Sequence, residues 1–149
     1  AGAGGEQDAD GQLGDLFGLQ RSLGNQSKIL ISQGDLTKAM KYLKEQERIS
    51  RQLENPFGLL SSLGNQSIIM QKRGRWNEAL ELSLESERLC RQINNPQDLA
   101  INLYQQTIIR YQRGEIGQAR RCIDEALEIA RKHGYHNLIG QFETVRNNL

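Results

Sequence analysis

Histidine, cysteine, proline and aromatic side chains are all scarce in this 149-residue chain, and the shortages narrow its function. Two cysteines, Cys90 and Cys122, with no CxxC partner make no disulfide framework. They read as small buried helix residues in a reducing, cytoplasmic compartment. Aromatics at 5% and apolar residues at 37% supply a core, but a lean one for a single globule. No run approaches the ~18 apolar residues of a membrane span. The first eleven residues have neither a basic start nor an apolar stretch, so no secretory signal is expected there. The absence of an initial Met suggests a processed or excised chain. A charge excess is also missing: 19 Lys+Arg against 18 Asp+Glu leave +1, too little for nucleic-acid binding by electrostatics alone. Glu6, Asp8, Asp10 and Asp15 put −4 in the first fifteen residues, so the remainder carries +5.

What the chain does have is internal repetition. Leu23-Gly24-Asn25-Gln26-Ser27 returns as Leu63-Gly64-Asn65-Gln66-Ser67, an offset of 40 residues. Gly34, Gly74 and Gly114 keep that offset, as do Ala39, Ala79 and Ala119. Asn55-Pro56 returns as Asn95-Pro96, and Leu19, Leu59, Leu99 and Ile139 carry the register into a fourth, truncated unit. The third unit is looser, with Leu103-Tyr104-Gln105-Gln106-Thr107 in place of the five-residue string.

Each unit reads as two helices. Apolar residues fall at helical spacing, and nothing alternates with period two. The glycines at 34, 74 and 114 end each first helix, because glycine alone takes positive φ without penalty. Ala39, Ala79 and Ala119 let the paired helices approach closely. A short turn makes the pair antiparallel, and one hairpin cannot bury both of its apolar faces, so hairpins must stack. The expected organisation is a disordered tail over 1–11 and a helical-repeat domain over 12–149. Its units run 16–55, 56–95 and 96–135, with a capping helix over 137–149.

With its small residue and Gly-Asp turn, Gly34-Asp35-Leu36-Thr37-Lys38-Ala39-Met40 resembles the tetratricopeptide repeat. The 40-residue period is similar to the long variant in kinesin light chains and in spindle-orientation adaptors carrying Leu-Gly-Asn in successive first helices. That resemblance implies an all-α, right-handed superhelical solenoid with a concave surface. The aromatic usual after the turn is kept only as Trp76; Leu36 and Ile116 replace it elsewhere, and Leu30 and Met70 stand for the usual first-helix aromatic.

The resemblance also implies that Asn25, Asn65 and Gln105 form a ladder gripping the backbone of an extended peptide. A carboxamide has donors and an acceptor, so it pairs with a peptide N–H and C=O together. Specificity then falls to neighbours: Arg21 and Lys28 in the first unit, Ile68, Gln71 and Lys72 in the second, Tyr104, Ile108 and Tyr111 in the third. These suit a ligand acidic at one end and apolar at the other, although the lysines read equally as solvated charge. Gly24 and Gly64 read either as room for a ligand or as close helix contact. The chaperone-tail form of the family has Lys where this chain has Gly24 and Asn where it has Lys28, so that mode is not expected. Recurring Glu47-Arg48 and Glu87-Arg88 suggest surface ion pairs.

Enzyme chemistry finds no support. His133 and His136 lack a companion metal ligand at a recognisable interval, and Asp124 and Glu125 lack an acid–base partner. Gly2-Ala3-Gly4-Gly5 follows no strand and makes no phosphate loop. No cofactor is expected. The partner is expected to be a protein or peptide, with neither nucleic acid nor membrane. Self-assembly through the ends of the array, and less so helical-repeat RNA binding, stand as alternatives.

Overall fold

Glycine and the Asn-Pro pair set the helix boundaries. In the computed structural model Gly34, Gly74 and Gly114 take φ of 83°, 71° and 80°, the left-handed region that a Cβ disfavours. The three turns close alike, with Asp35 N–H donating to Leu30 O at 2.9 Å, Arg75 to Met70 at 2.8 Å and Glu115 to Arg110 at 2.9 Å. Between them run α1 (Gly2–Ser32), α2 (Leu36–Gln52), α3 (Pro56–Lys72), α4 (Trp76–Gln92), α5 (Pro96–Gln112), α6 (Ile116–His133) and α7 (His136–Asn147). No strand occurs among the described residues. The structure describes residues 2–149, and of residues 2–10 the backbone alone. The stretch 1–11, expected as a disordered tail, falls within α1 from Gly2 onward, and Ala1 lies outside the described residues.

Pro56 and Pro96 each open a helix, where the missing N–H has no intrahelical acceptor to lose. Asn95 caps α5 through its side-chain oxygen on Asp98 N at 3.2 Å, and Asp35 caps α2 on Lys38 N at 3.2 Å. One feature of these links has no glycine to announce it: Glu54 and Asn94 hold φ of 51° and 55°.

The chain forms two compact units, Ala1–Ile69 and Met70–Leu149. In the first, Ala39, Leu43 and Ile69 are fully buried, with Leu30, Ile31, Leu36 and Met40 packed around them. In the second, Ala79, Leu80 and Ile109 are buried beneath Met70, Trp76 and Leu84. Ala119, Ile123, Ala126, Leu127 and Ala130 of α6 are buried, as is Phe142 of α7. Burying a leucine or isoleucine contributes about 1.5–3 kcal/mol. None of the helices is long and apolar enough to cross a membrane among the described residues.

A polar seam recurs beside these cores. Gln66 Nε2 donates to Glu47 Oε1 at 2.8 Å and Gln106 Nε2 to Glu87 Oε1 at 2.6 Å. Glu47 also receives Arg51 at 3.1 Å, and Glu87 receives Arg91 at 3.0 Å. The ion pairs therefore differ from those expected: Glu47 and Glu87 pair with the arginine four residues on, and Arg48 turns back to Glu45. Adjacent residues on a helix diverge, whereas i and i+4 share a face. Burial pushes the Glu47 carboxyl up, but hydrogen bonds from Gln66 and Arg51 outweigh it and hold it below its ordinary range.

Candidate functional site

In the first unit, α1, α2 and the start of α3 surround a cleft of about 390 Å³. Arg21 and Asn25 line it, together with Ser61 and two aromatics, Phe17 and Phe57. Its floor is polar. Gln46 is 2% exposed, yet its Oε1 has no hydrogen-bond partner. The Gln46 amide nitrogen spans a long 3.4 Å to Gln20 Oε1. Unmet buried acceptors of this kind cost about 1–3 kcal/mol, so the cleft is suited to a group that brings an N–H.

The glycines on which two readings stood open now separate. A Cβ on Gly24 would lie 2.5 Å from Gln46 Nε2, so Gly24 serves close side-chain packing. A Cβ on Gly64 would meet nothing within 4 Å.

The three carboxamides of the expected ladder differ in state. Asn25 is exposed on the cleft wall. Asn65 is half-buried and does not line that cleft; its Nδ2 donates to Ser61 O at 3.0 Å within its own helix. In the second unit Gln105 Oε1 accepts from Gln71 Nε2 at 3.0 Å. Each of these two amides makes one hydrogen bond within the protein, and a carboxamide with two N–H donors and two acceptor lone pairs keeps further capacity at both of its ends.

Lys28 is exposed on α1 and Lys72 on α3, while Ile68 is half-buried. Tyr104 stacks on Phe142 with centroids 5.3 Å apart, and its hydroxyl accepts from Gln141 Nε2 at 3.1 Å. Ile108 and Tyr111 face an apolar pocket of about 250 Å³ closed by Val145 and Leu149. The third unit's aromatic column is thus partly occupied by α7, and what stays open there is the pocket beyond it.

Phe17, Phe57 and Gln46 are cleft residues that the sequence reading missed. A signal existed, since Phe17-Gly18-Leu19 returns as Phe57-Gly58-Leu59 in the same register. Burial, with the Asp98 and Glu87 charges, pushes the Cys90 thiol up to about 11, so it stays protonated at neutral pH. Burial likewise raises Cys122. His133 stacks on Tyr135 at 5.4 Å. No cluster of three or more His, Cys, Asp or Glu side chains able to hold a metal exists among the described residues.

Compared with known families, residues 58–132 match the model described as tetratricopeptide repeat. No curated protein matches the chain.

Proposed function

The chain belongs to the tetratricopeptide repeat family, and on that premise we propose that it is a non-catalytic scaffold holding an extended peptide segment of a protein partner. Repeats of this family generally mediate protein–protein interaction. The observation that carries the finer reading is the first-unit cleft, where a cation, carboxamides and two exposed aromatics surround a buried amide oxygen, Gln46 Oε1, that lacks a donor.

In this reading Asn25 pairs with the peptide backbone at the cleft, and Arg21 and Lys28 receive acidic side chains. A peptide N–H fills the acceptor at Gln46. Asn65 accepts a further backbone N–H, and Gln105 donates to a backbone carbonyl. Ile68, Gln71 and Lys72 contribute flanking contacts. Ile108 and Tyr111, with Tyr104 beside them, take an apolar anchor. The setting is the cytoplasm, where Cys90 and Cys122 persist as thiols.

A peptide array mixing acidic and apolar positions selects a ligand, and calorimetry then measures it. Asn25→Ala with Asn65→Ala is expected to weaken binding about tenfold, the loss of one or two hydrogen bonds. Ile108→Asp is expected to remove the preference for an apolar anchor. Unaltered affinity in the double variant would end the reading. A parallel salt-dependent nucleic-acid titration is expected to show no saturable binding.

A further inference from the structure

Four carboxamides line the first-unit cleft: Gln20, Asn25, Gln46 and Asn55. Two of them are sunk into it. Gln20 is 7% exposed and Gln46 2%, whereas Phe17 and Phe57 of the same cleft are 41% and 65% exposed. The cleft is thus polar where it is deep and aromatic where it meets solvent.

Glycines make room for the two sunken amides. A Cβ on Gly24 would lie 2.5 Å from Gln46 Nε2, and one on Gly58 would lie 2.5 Å from Gln20 Oε1, so both amide heads rest against helix backbone. The heads meet in one long contact, Gln46 Nε2 to Gln20 Oε1 at 3.4 Å. A good N–H···O bond spans about 2.7–3.2 Å. Gln46 Oε1 has no partner. Two acceptors therefore stand near each other, one unserved and one poorly served, because the nitrogen that reaches Gln20 belongs to the same amide as Gln46 Oε1.

A group that answers both acceptors brings two N–H bonds at one end. Ammonium, guanidinium and primary carboxamide groups do so. The two cations find no counter-charge, since no acid lines the cleft and its one charge is Arg21. A carboxylate sets oxygen against oxygen. A hydroxyl or a backbone N–H brings a single donor. The primary carboxamide remains, and its own oxygen suits Arg21, whose several N–H groups leave others for an acidic neighbour.

We propose that the first-unit cleft is a selectivity pocket for an asparagine or glutamine side chain of the bound peptide. On entry the 3.4 Å contact opens, and the ligand nitrogen inserts between Gln46 Oε1 and Gln20 Oε1. Its oxygen accepts from Arg21, and its methylene stem lies against Phe17 and Phe57. The proposal rests on the peptide-scaffold reading and names the side chain that such a peptide must carry.

The test uses the full chain, isotope-labelled, and five blocked amino acids as probes: the N-acetyl, N-methylamide forms of glutamine, asparagine, glutamate, methionine and arginine. Nuclear magnetic resonance follows each titration. The better carboxamide probe is expected to bind about tenfold more tightly than the methionine probe, the difference of one or two hydrogen bonds. It is also expected to shift the side-chain amide signals of Gln20 and Gln46. Gln46→Met should erase that margin while the methionine probe binds no worse. Circular dichroism checks its fold, and Arg21→Ala, at an exposed position, decides the matter if Gln46→Met unfolds. It should weaken the carboxamide probe several-fold and leave the methionine probe unchanged. Equal affinity for the carboxamide and methionine probes, a preference for glutamate or arginine, or no saturation by any probe would each overturn the proposal. Peptide-array binders that carry neither asparagine nor glutamine would also overturn it, yet leave the scaffold reading standing. A selective carboxamide probe beside a blank array would keep the pocket and end the scaffold reading.

Discussion

At positions 20, 46 and 50 the hairpin of α1 and α2 buries two glutamines and a serine; at 100, 126 and 130, two periods later, the hairpin of α5 and α6 buries three alanines. The helices turn at the same places in both. The polar version needs relief, which Gly24 provides by leaving space for the Gln46 amide. The alanine version needs none, and Tyr104 occupies the register position of Gly24. Residues at one register position are thus chosen together with those that face them. The price of the polar solution is a buried oxygen on Gln46 and another on Ser50 without partners.

Exchanging the two solutions should have the largest effect. Ala126→Gln forces an amide into a fully closed site with no glycine opposite, and a loss of about 3 kcal/mol or more is expected in urea denaturation. The opposite exchange, Gln20→Leu with Gln46→Met, replaces an ill-satisfied pair by apolar groups. It is expected to stabilise the fold by about 1–2 kcal/mol, while weakening whatever ligand uses the cleft; a gain in both would show that the floor is merely a packing defect. Gly64→Ala adds helix propensity in open space and should gain about 0.5–1 kcal/mol. Gly24→Ala should gain less or lose, since Gln46 must move, and equal melting shifts for the two would contradict their assignment. The smallest effect concerns acid. The folded Glu47 carboxyl sits below its ordinary 4.5, so its contribution is present above that pH and fades as pH falls through the lower folded value. Glu47→Gln is expected to flatten the acid limb of the stability profile between those two values.

Much of the fold could be read from spacing, because glycine and proline act locally. Gly34, Gly74, Gly114, Pro56 and Pro96 announce the turns at which they stand, but within the two links that end in proline Glu54 and Asn94 adopt positive φ without a glycine. The site was harder to read. Within Leu-Gly-Asn-Gln-Ser the eye falls on asparagine, yet the buried inter-helix bond belongs to the glutamine beside it. The third unit could have shown this: its string degenerates to Leu-Tyr-Gln-Gln-Thr, and the polar member kept unchanged is Gln106, in the Gln66 column. Side-chain orientation across a hairpin depends on partners 19 residues away, Glu47 for Gln66 and Glu87 for Gln106, which no local pattern reveals.

The identical lead-ins Asn55-Pro56 and Asn95-Pro96 have an evolutionary reading as well. Recombination between those two codon pairs would delete or duplicate one 40-residue block in frame, with no cap altered. After a deletion Glu47 would precede Gln106 by the same interval at which it now precedes Gln66. Such a gene can lengthen or shorten by whole modules, each splice meeting a ready-made hydrogen-bond partner.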